Sequence, residues 1–423
     1  MPATGQRVGA LVINPGGPGI PAAEWAVYGA YALPPSVNAR YDIVAFDPRG
    51  VGASSPLRCF TPRTLRRYVA LDPTPTTPGA RRALADQGRD LVRGCRNLSP
   101  GLWRHVGTRD VARDLDVLRA VLGESRLTYL GFSYGTAIGA AYADLFPHRV
   151  GRMALDGGID PSLSALAFSR QQARGFDHAM GRFIEWCVRR GDCPLGDTVR
   201  RATAELNALV DLIERSGLSA PGRADDARLT TAALVAGLAA STYSPTAGWP
   251  RLRVALSRAL RGDGGDLLSI GESLMFIGGD IETALRVQSA LAAVTCTDTG
   301  RGPTYAVAER AARRDAAQFR VPVLAHWGAT ASLACSAWPT SYQPRAVRGP
   351  ADRPILVIGT RHDSATPYAW SVRLADQLRS ARLLTVNADG HLSVLSNLCA
   401  RRATVAYLLR GELPEAGVSC RTG

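Results

Sequence analysis

Leu127-Thr128-Tyr129-Leu130-Gly131-Phe132-Ser133-Tyr134-Gly135-Thr136-Ala137-Ile138-Gly139-Ala140-Ala141-Tyr142 is the stretch on which the reading of the fold turns. Its first four residues are apolar and β-prone, and its last seven read as a helix rich in small residues. A serine stands between two glycines where strand meets helix. On so sharp a turn the glycines permit close backbone packing, and the serine hydroxyl is pushed out where a reacting group can reach it. Glycine supplies 43 of the 423 residues, so a bare G-x-S-x-G can arise by chance. The strand before it and the helix after it give the pattern its weight.

The pattern continues outward. Thr108 is placed to cap a helix whose apolar stripe is Val111, Leu115, Leu118 and Leu122, leading into the strand before the serine. Val8–Ile13 reads as a buried strand ending in Asn14-Pro15-Gly16-Gly17-Pro18-Gly19. Tyr41–Phe46 is a second strand, ending in Asp47-Pro48-Arg49-Gly50, and Arg152–Leu155 another, ending in Asp156-Gly157-Gly158. Residues 60–80, with four prolines between 62 and 78, read as an irregular loop. From about 161 helical stretches dominate: 170–190, 197–216, 229–242, 249–260, 281–294 and 304–318. Alternation resumes at Ile355–Gly359, with a helix over 367–379 and a last strand at Leu383–Val386. Strands alternating with helices predict an α/β fold, a mostly parallel sheet with helices on both faces. The expected division is a core over 1–160, a large helical cap insertion over 161–345, and the rest of the core over 346–423.

A hydrophobic fraction of 46% and a charged fraction of 20% describe an ordinary globular chain. The net charge of +14 comes without a single lysine. The arginines lie in scattered doublets such as Arg66-Arg67 and Arg313-Arg314, with no basic tail, so no nucleic-acid partner is expected. No stretch is apolar and long enough to span a membrane. Eight cysteines fall as sequence neighbours: Cys59 with Cys95, Cys187 with Cys193, Cys296 with Cys335, and Cys399 with Cys420. Four disulfides in an oxidising, extracellular compartment are expected, other connectivities remaining open. Met1–Arg7 carries no apolar leader core, so either a signal peptide has been removed or the true start lies upstream. Six scattered histidines argue against a zinc site, and no metal or cofactor is expected.

A serine nucleophile needs a base, a carboxylate to orient that base, and donors for an oxyanion. His391, in the loop after the last strand, lies at the sheet edge where the turn serine would meet it. Asp363 follows the strand at 355–359 and lies at the same edge. Asp352 precedes that strand at the wrong edge, and Asp389 is too near His391 in sequence to orient its ring. The order Ser133, Asp363, His391 is the one expected for an α/β-hydrolase. Thr366 is placed to brace the acid loop. Oxyanion donors are expected from the Tyr134 N–H and from Gly16 or Gly17 in the loop after the first strand. Asp47-Pro48-Arg49-Gly50 reads as a structural loop beside the serine turn.

Taken together, Asn14–Gly19, Tyr41–Gly52, Gly131–Thr136 and Asp363-Ser364-Ala365-Thr366-Pro367 resemble the actinobacterial tripeptidyl aminopeptidases. These are secreted serine exopeptidases of the α/β-hydrolase fold, related to proline iminopeptidases. Asp192–Gly196, Thr295–Asp298 and the ending from Cys399 to Cys420 extend the resemblance over nearly the whole chain. The family normally opens with a secretion signal and a β-hairpin ahead of the Asn-Pro-Gly-Gly-Pro-Gly strand. Here Ile20-Pro21 stands where the family continues with Gly or Ser, and Leu392 where glycine is common. The resemblance implies release of short peptides from free N-termini, with the cap closing over the cleft. Such an activity needs a carboxylate for the terminal ammonium; Asp298 is the first candidate, with Glu282 and Glu185 behind it. Hydrolysis of small or lipid-like esters uses the same core chemistry and is the alternative. A non-catalytic binding protein on this fold is the lesser one.

Overall fold

The computed structural model describes the chain apart from residues 24, 224–226, 276–278, 341 and 422–423. Its strands are β1 (Gly9–Asn14), β2 (Tyr41–Ala45), β3 (Leu127–Phe132), β4 (Val150–Asp156), β5 (Leu218–Ser219), β6 (Arg228–Leu229), β7 (Ile355–His362), β8 (Ala381–Asp389) and β9 (Ser419–Arg421). Seven of them form one sheet in the order β2-β1-β3-β4-β7-β8-β9, and every pairing in it is parallel. The short β5–β6 hairpin stands apart.

Alternation along the central strands divides the core into two faces. Val12, Tyr129, Met153, Leu155, Ile355 and Val357 pack towards the helices Thr108–Val121 and Tyr134–Leu145. Leu11, Ile13, Leu130, Ala154, Leu356 and Ile358 face the other way, towards Leu398–Arg410. The small residues after Ser133 allow the helix Tyr134–Leu145 to lie close on the sheet. A Cβ on Gly139 would come 2.6 Å from Leu155 Cδ2. Chain order turns back between β1 and β3, so the loops after these strands diverge and leave a crevice at the carboxyl edge.

The proline-rich 60–80 segment corrects the sequence expectation. Helices Pro62–Val69 and Pro78–Leu98 start there, each with a threonine N-cap and proline at its first position. Proline there has no N–H to leave unpaired and its φ already suits the helix, so its density marked helix starts rather than a loop. The helix expected to be capped by Thr108 is instead capped by Gly107. Thr108 is its first residue, and the Asp298 carboxylate accepts its N–H (2.8 Å) and hydroxyl (2.5 Å). The sheet also gains β9 beyond the strand expected to be last, held beside the helix Leu398–Arg410 by Cys399–Cys420.

Between β4 and β7 the described residues are mainly helical, with Phe176, Phe183, Leu206, Leu234 and Leu256 in a core of their own. The helix Ile281–Thr299 leaves that core. Its Leu285, Ala293 and Cys296 pack with Leu57, Trp103 and Tyr134 in the core of the sheet. Cys296–Cys335 and the edge-on rings of Trp103 and Trp338, 5.2 Å apart, secure this junction. The disulfides are Cys59–Cys95, Cys187–Cys193, Cys296–Cys335 and Cys399–Cys420, leaving no cysteine free. No helix among the described residues is long and apolar enough to cross a membrane.

Two stability predictions follow from these joints. Cys296 and Cys335 are 39 residues apart, and Cys187 and Cys193 only 6. Restriction of the unfolded chain gives a loss of about 4 kcal/mol on replacing the first pair by alanine and about 2 kcal/mol for the second. Urea midpoints of the two double variants check the ranking. Burial raises the Asp298 carboxyl to about 7, against the lowering effect of the two Thr108 hydrogen bonds. A folded pKa above the unfolded one adds stability below the unfolded pKa of about 4. That stability is lost as pH rises through about 7, at no more than about 1.4 kcal/mol per pH unit. Urea unfolding from pH 4 to 8 should show wild type losing stability relative to Asp298→Asn; parallel curves would contradict this.

Candidate active site

Ser133 sits at the end of β3 with φ 52° and ψ −120°, a conformation most L-residues avoid. Three hydrogen bonds hold it there. Its N–H donates to the Asp156 carbonyl at 2.8 Å, and its own carbonyl accepts the Thr136 N–H at 2.9 Å and hydroxyl at 2.6 Å. The flanking glycines are required by space. A Cβ on Gly131 would lie 2.5 Å from the Gly135 carbonyl oxygen, and one on Gly135 would lie 2.7 Å from the Asn14 carbonyl oxygen. The serine is thereby raised above the edge at the crevice between β1 and β3.

Asp363 and His391 meet at the same edge. Asp363 lies just past β7, and its Oδ1 accepts the backbone N–H groups of Ala365 (2.9 Å) and Thr366 (2.8 Å). His391 Nδ1 lies 2.9 Å from Oδ1 and 3.0 Å from Oδ2 of this carboxylate. A proton on Nδ1 therefore faces Asp363 and leaves Nε2 as an acceptor. The Thr366 hydroxyl is 3.4 Å from the same nitrogen. Burial opposes charge on the imidazole, but the Asp363 charge, its hydrogen bond and the Asp156 charge prevail and raise the His391 pKa. Leu392 follows at φ 73°, a left-handed backbone that explains why glycine suits this position.

The loop after β1 closes the other side. A Cβ on Gly16, whose φ is 105°, would lie 2.9 Å from Ser133 Cβ and 3.2 Å from the Tyr134 nitrogen. The Gly16 N–H is engaged by the Asn14 side chain at 3.0 Å. Of the two candidate donors in this loop, only the Gly17 N–H makes no hydrogen bond among the described residues. The Tyr134 N–H opens its helix and has no carbonyl ahead of it. Asp47 steadies the loop's exit by accepting the N–H groups of Ala22 and Ala23, and Arg49 grips Asp114 through two nitrogens.

The candidate ammonium ligands are placed elsewhere. Asp298 is withdrawn from that role because both its oxygens serve Thr108, whose hydroxyl also meets the buried Tyr134 hydroxyl at 2.7 Å. Glu282 is ion-paired with Arg58, and Glu185 faces Arg182 at 3.4 Å. Sequence reasoning also missed how the insertion reaches the histidine. The Tyr243 carbonyl accepts the His391 N–H at 2.8 Å, and the two rings meet edge-on at 5.2 Å. Gln172 donates to the Ala365 carbonyl, and Arg182 pairs with Asp389 through two nitrogens. Neither Tyr243 nor Gln172 stands in a motif that marks such a contact.

Comparison with known proteins accords with this architecture. The family model described as the alpha/beta hydrolase fold matches residues 9–398. The chain is 35% identical over 437 residues to "Serine protease Hip1" of Mycobacterium tuberculosis, covering 99% of this chain and 82% of that protein. It is 31% identical over 430 residues to "Tripeptidyl aminopeptidase" of Streptomyces lividans, covering 98% and 77%. It is 35% identical over 436 residues to "Carboxylesterase B" of Mycobacterium tuberculosis, covering 99% and 81%. Likeness of this extent, running through both parts of the sheet and the helices between them, makes the chain a member of the α/β-hydrolase fold family and a relative of the tripeptidyl aminopeptidases.

Proposed function

We propose that the protein is a serine exopeptidase that releases short peptides, tripeptides among them, from free N-termini through an acyl-enzyme on Ser133. The observation that carries the reading is the convergence at one sheet edge of a serine raised on a strained turn and a histidine held by Asp363. His391 Nε2 takes the Ser133 proton as Oγ attacks the scissile carbonyl. The N–H groups of Tyr134 and Gly17 receive the developing oxyanion. His391 returns the proton to the leaving amine, and water activated by the same nitrogen then hydrolyses the acyl-enzyme. The helical insertion over 161–345 acts as the cap that limits access to chain ends. The relatives named as a protease and a tripeptidyl aminopeptidase favour peptides. The relative named carboxylesterase favours the second reading, an acyl ester hydrolase using the same residues. Paired cysteines throughout support an extracellular setting.

Turnover of free-amine tripeptide anilides, N-blocked counterparts and a short acyl ester separates the readings. The peptidase reading expects cleavage of the free peptides alone, reduced by about 10⁴-fold or more in Ser133→Ala. Ester hydrolysis alone, or equal turnover of blocked peptides, overturns it in favour of the second. Absence of fluorophosphonate labelling at Ser133 overturns both. Gly16→Ala, which sets a methyl against Ser133 and Tyr134 without removing the Gly17 donor, should lower kcat by about 100-fold, the scale of a lost oxyanion contact. An unchanged kcat in a folded variant would contradict the loop's placement.

A further inference from the structure

Asp156, at the carboxyl end of β4, is neither nucleophile, base, orienting acid nor oxyanion donor in the reading above, yet it touches the serine turn and the histidine loop at once. It is fully buried. Its backbone carbonyl receives the Ser133 N–H at 2.8 Å. Its Oδ2 accepts the N–H groups of Ser393 (2.9 Å) and Val394 (2.8 Å), two and three residues beyond His391. Its Oδ1 is buried with no hydrogen-bond partner among the described residues. The next residue, Gly157, has φ 74°, and a Cβ there would lie 3.4 Å from His391 Cε1 and 2.7 Å from Leu392 Cδ2. The histidine ring and its left-handed neighbour therefore rest on the Asp156-Gly157 turn. The Ser393 hydroxyl is also joined to Thr360 of β7 at 2.5 Å.

Full burial, two backbone donors from the histidine loop and an unpartnered Oδ1 set Asp156 apart from an exposed turn aspartate. Resting on the Ser133 reading, we propose that Asp156 is a positioning residue: its carboxylate holds the His391 loop in register with the serine turn, and its negative charge supports the imidazolium formed when His391 takes the serine proton. The groups that face His391 are Asp363 from the loop after β7, Asp156 from β4 and, from the insertion, Tyr243, whose phenol burial keeps protonated. Both carboxylates raise the histidine, against the desolvation that lowers it. Burial foremost, and the Asp363 charge, raise Asp156 itself to about 6, while Ser393, Val394 and His391 act the other way. Its proton and that of His391 are coupled, so the acid limb of reactivity belongs to the pair.

The test is the pH dependence of fluorophosphonate labelling of Ser133, which reads the free enzyme's base whatever the natural substrate. Asp156→Asn keeps an acceptor for both N–H groups and removes the charge, with an amide nitrogen in place of Oδ1. Its acid limb should move to lower pH by about one unit, with the high-pH plateau within about tenfold of wild type. Asp156→Ala removes the acceptor as well, and its plateau should fall by about 100-fold with thermal unfolding still cooperative. An Asp156→Asn limb superimposable on wild type overturns the proposal. So does a folded Asp156→Ala with an unaltered plateau; if that variant does not fold, Asp156→Asn decides alone. A wild type that is never labelled marks failure of the Ser133 reading, distinct from these results.

Discussion

Ser133 at φ 52° is the constraint on which the rest of the edge depends. A non-glycine residue in such a conformation costs on the order of 1–3 kcal/mol and persists only where its surroundings over-determine it. Here they do so from three directions. Asp156 takes the serine N–H, Thr136 takes its carbonyl twice, and the glycines at 16, 131 and 135 let three backbones approach more closely than any side chain would allow. Relaxing the turn would lower the hydroxyl back onto the sheet. It would also break the Asp156 contact that links the serine to the histidine loop. The strain and the alignment of the site are therefore one property.

The insertion is bound into this arrangement rather than laid over it. Its helix Ile281–Thr299 enters the main core, and Asp298 at the far end fixes the start of the helix Thr108–Val121, which packs beside the helix that follows Ser133. A Cβ on Gly19 would lie 2.7 Å from the Val287 carbonyl oxygen, so the same insertion helix also presses on the loop that carries Gly16 and Gly17. Tyr243 and Gln172 meet the histidine and acid loops from the other side. Movement of Tyr243 away from the core would loosen the backbone of His391.

The sheet and the placement of Ser133, Asp363 and His391 at one edge were legible because they depend on local signals. These are apolar runs of strand length, glycines at strand ends, and residue types whose chemistry is distinctive. What escaped depends on partners distant in sequence. Asp156 reads as the first residue of an Asp-Gly-Gly turn, and only the return of residues 393–394 to β4 reveals its task. Asp298 carries the marks of a binding residue in a cap, and only the buried Thr108 shows otherwise. Pro62 and Pro78 look like breakers until the threonine before each is seen to cap a helix. β9 is three residues long and owes its place to a disulfide. Length and periodicity cannot mark so short a strand.

The charge pattern of the site follows from the parallel sheet. On the histidine side, two buried carboxylates serve one loop, Asp363 holding the imidazole and Asp156 the backbone beyond it, an arrangement that desolvation and mutual repulsion oppose. Backbone N–H groups make it possible: Ala365, Thr366 and Leu392 donate to Asp363, and Ser393 and Val394 to Asp156. These donors come from loops leaving the carboxyl edge of the strands. The same edge on the opposite side of Ser133 presents the N–H groups of Tyr134 and Gly17 with no acceptor among the described residues. In the proposed reading, Ser133 lies between a histidine backed by carboxylates and N–H dipoles that would receive an oxyanion. Under that proposal, charge passing from the hydroxyl to an attacked carbonyl oxygen would follow dipoles and charges already fixed by the fold.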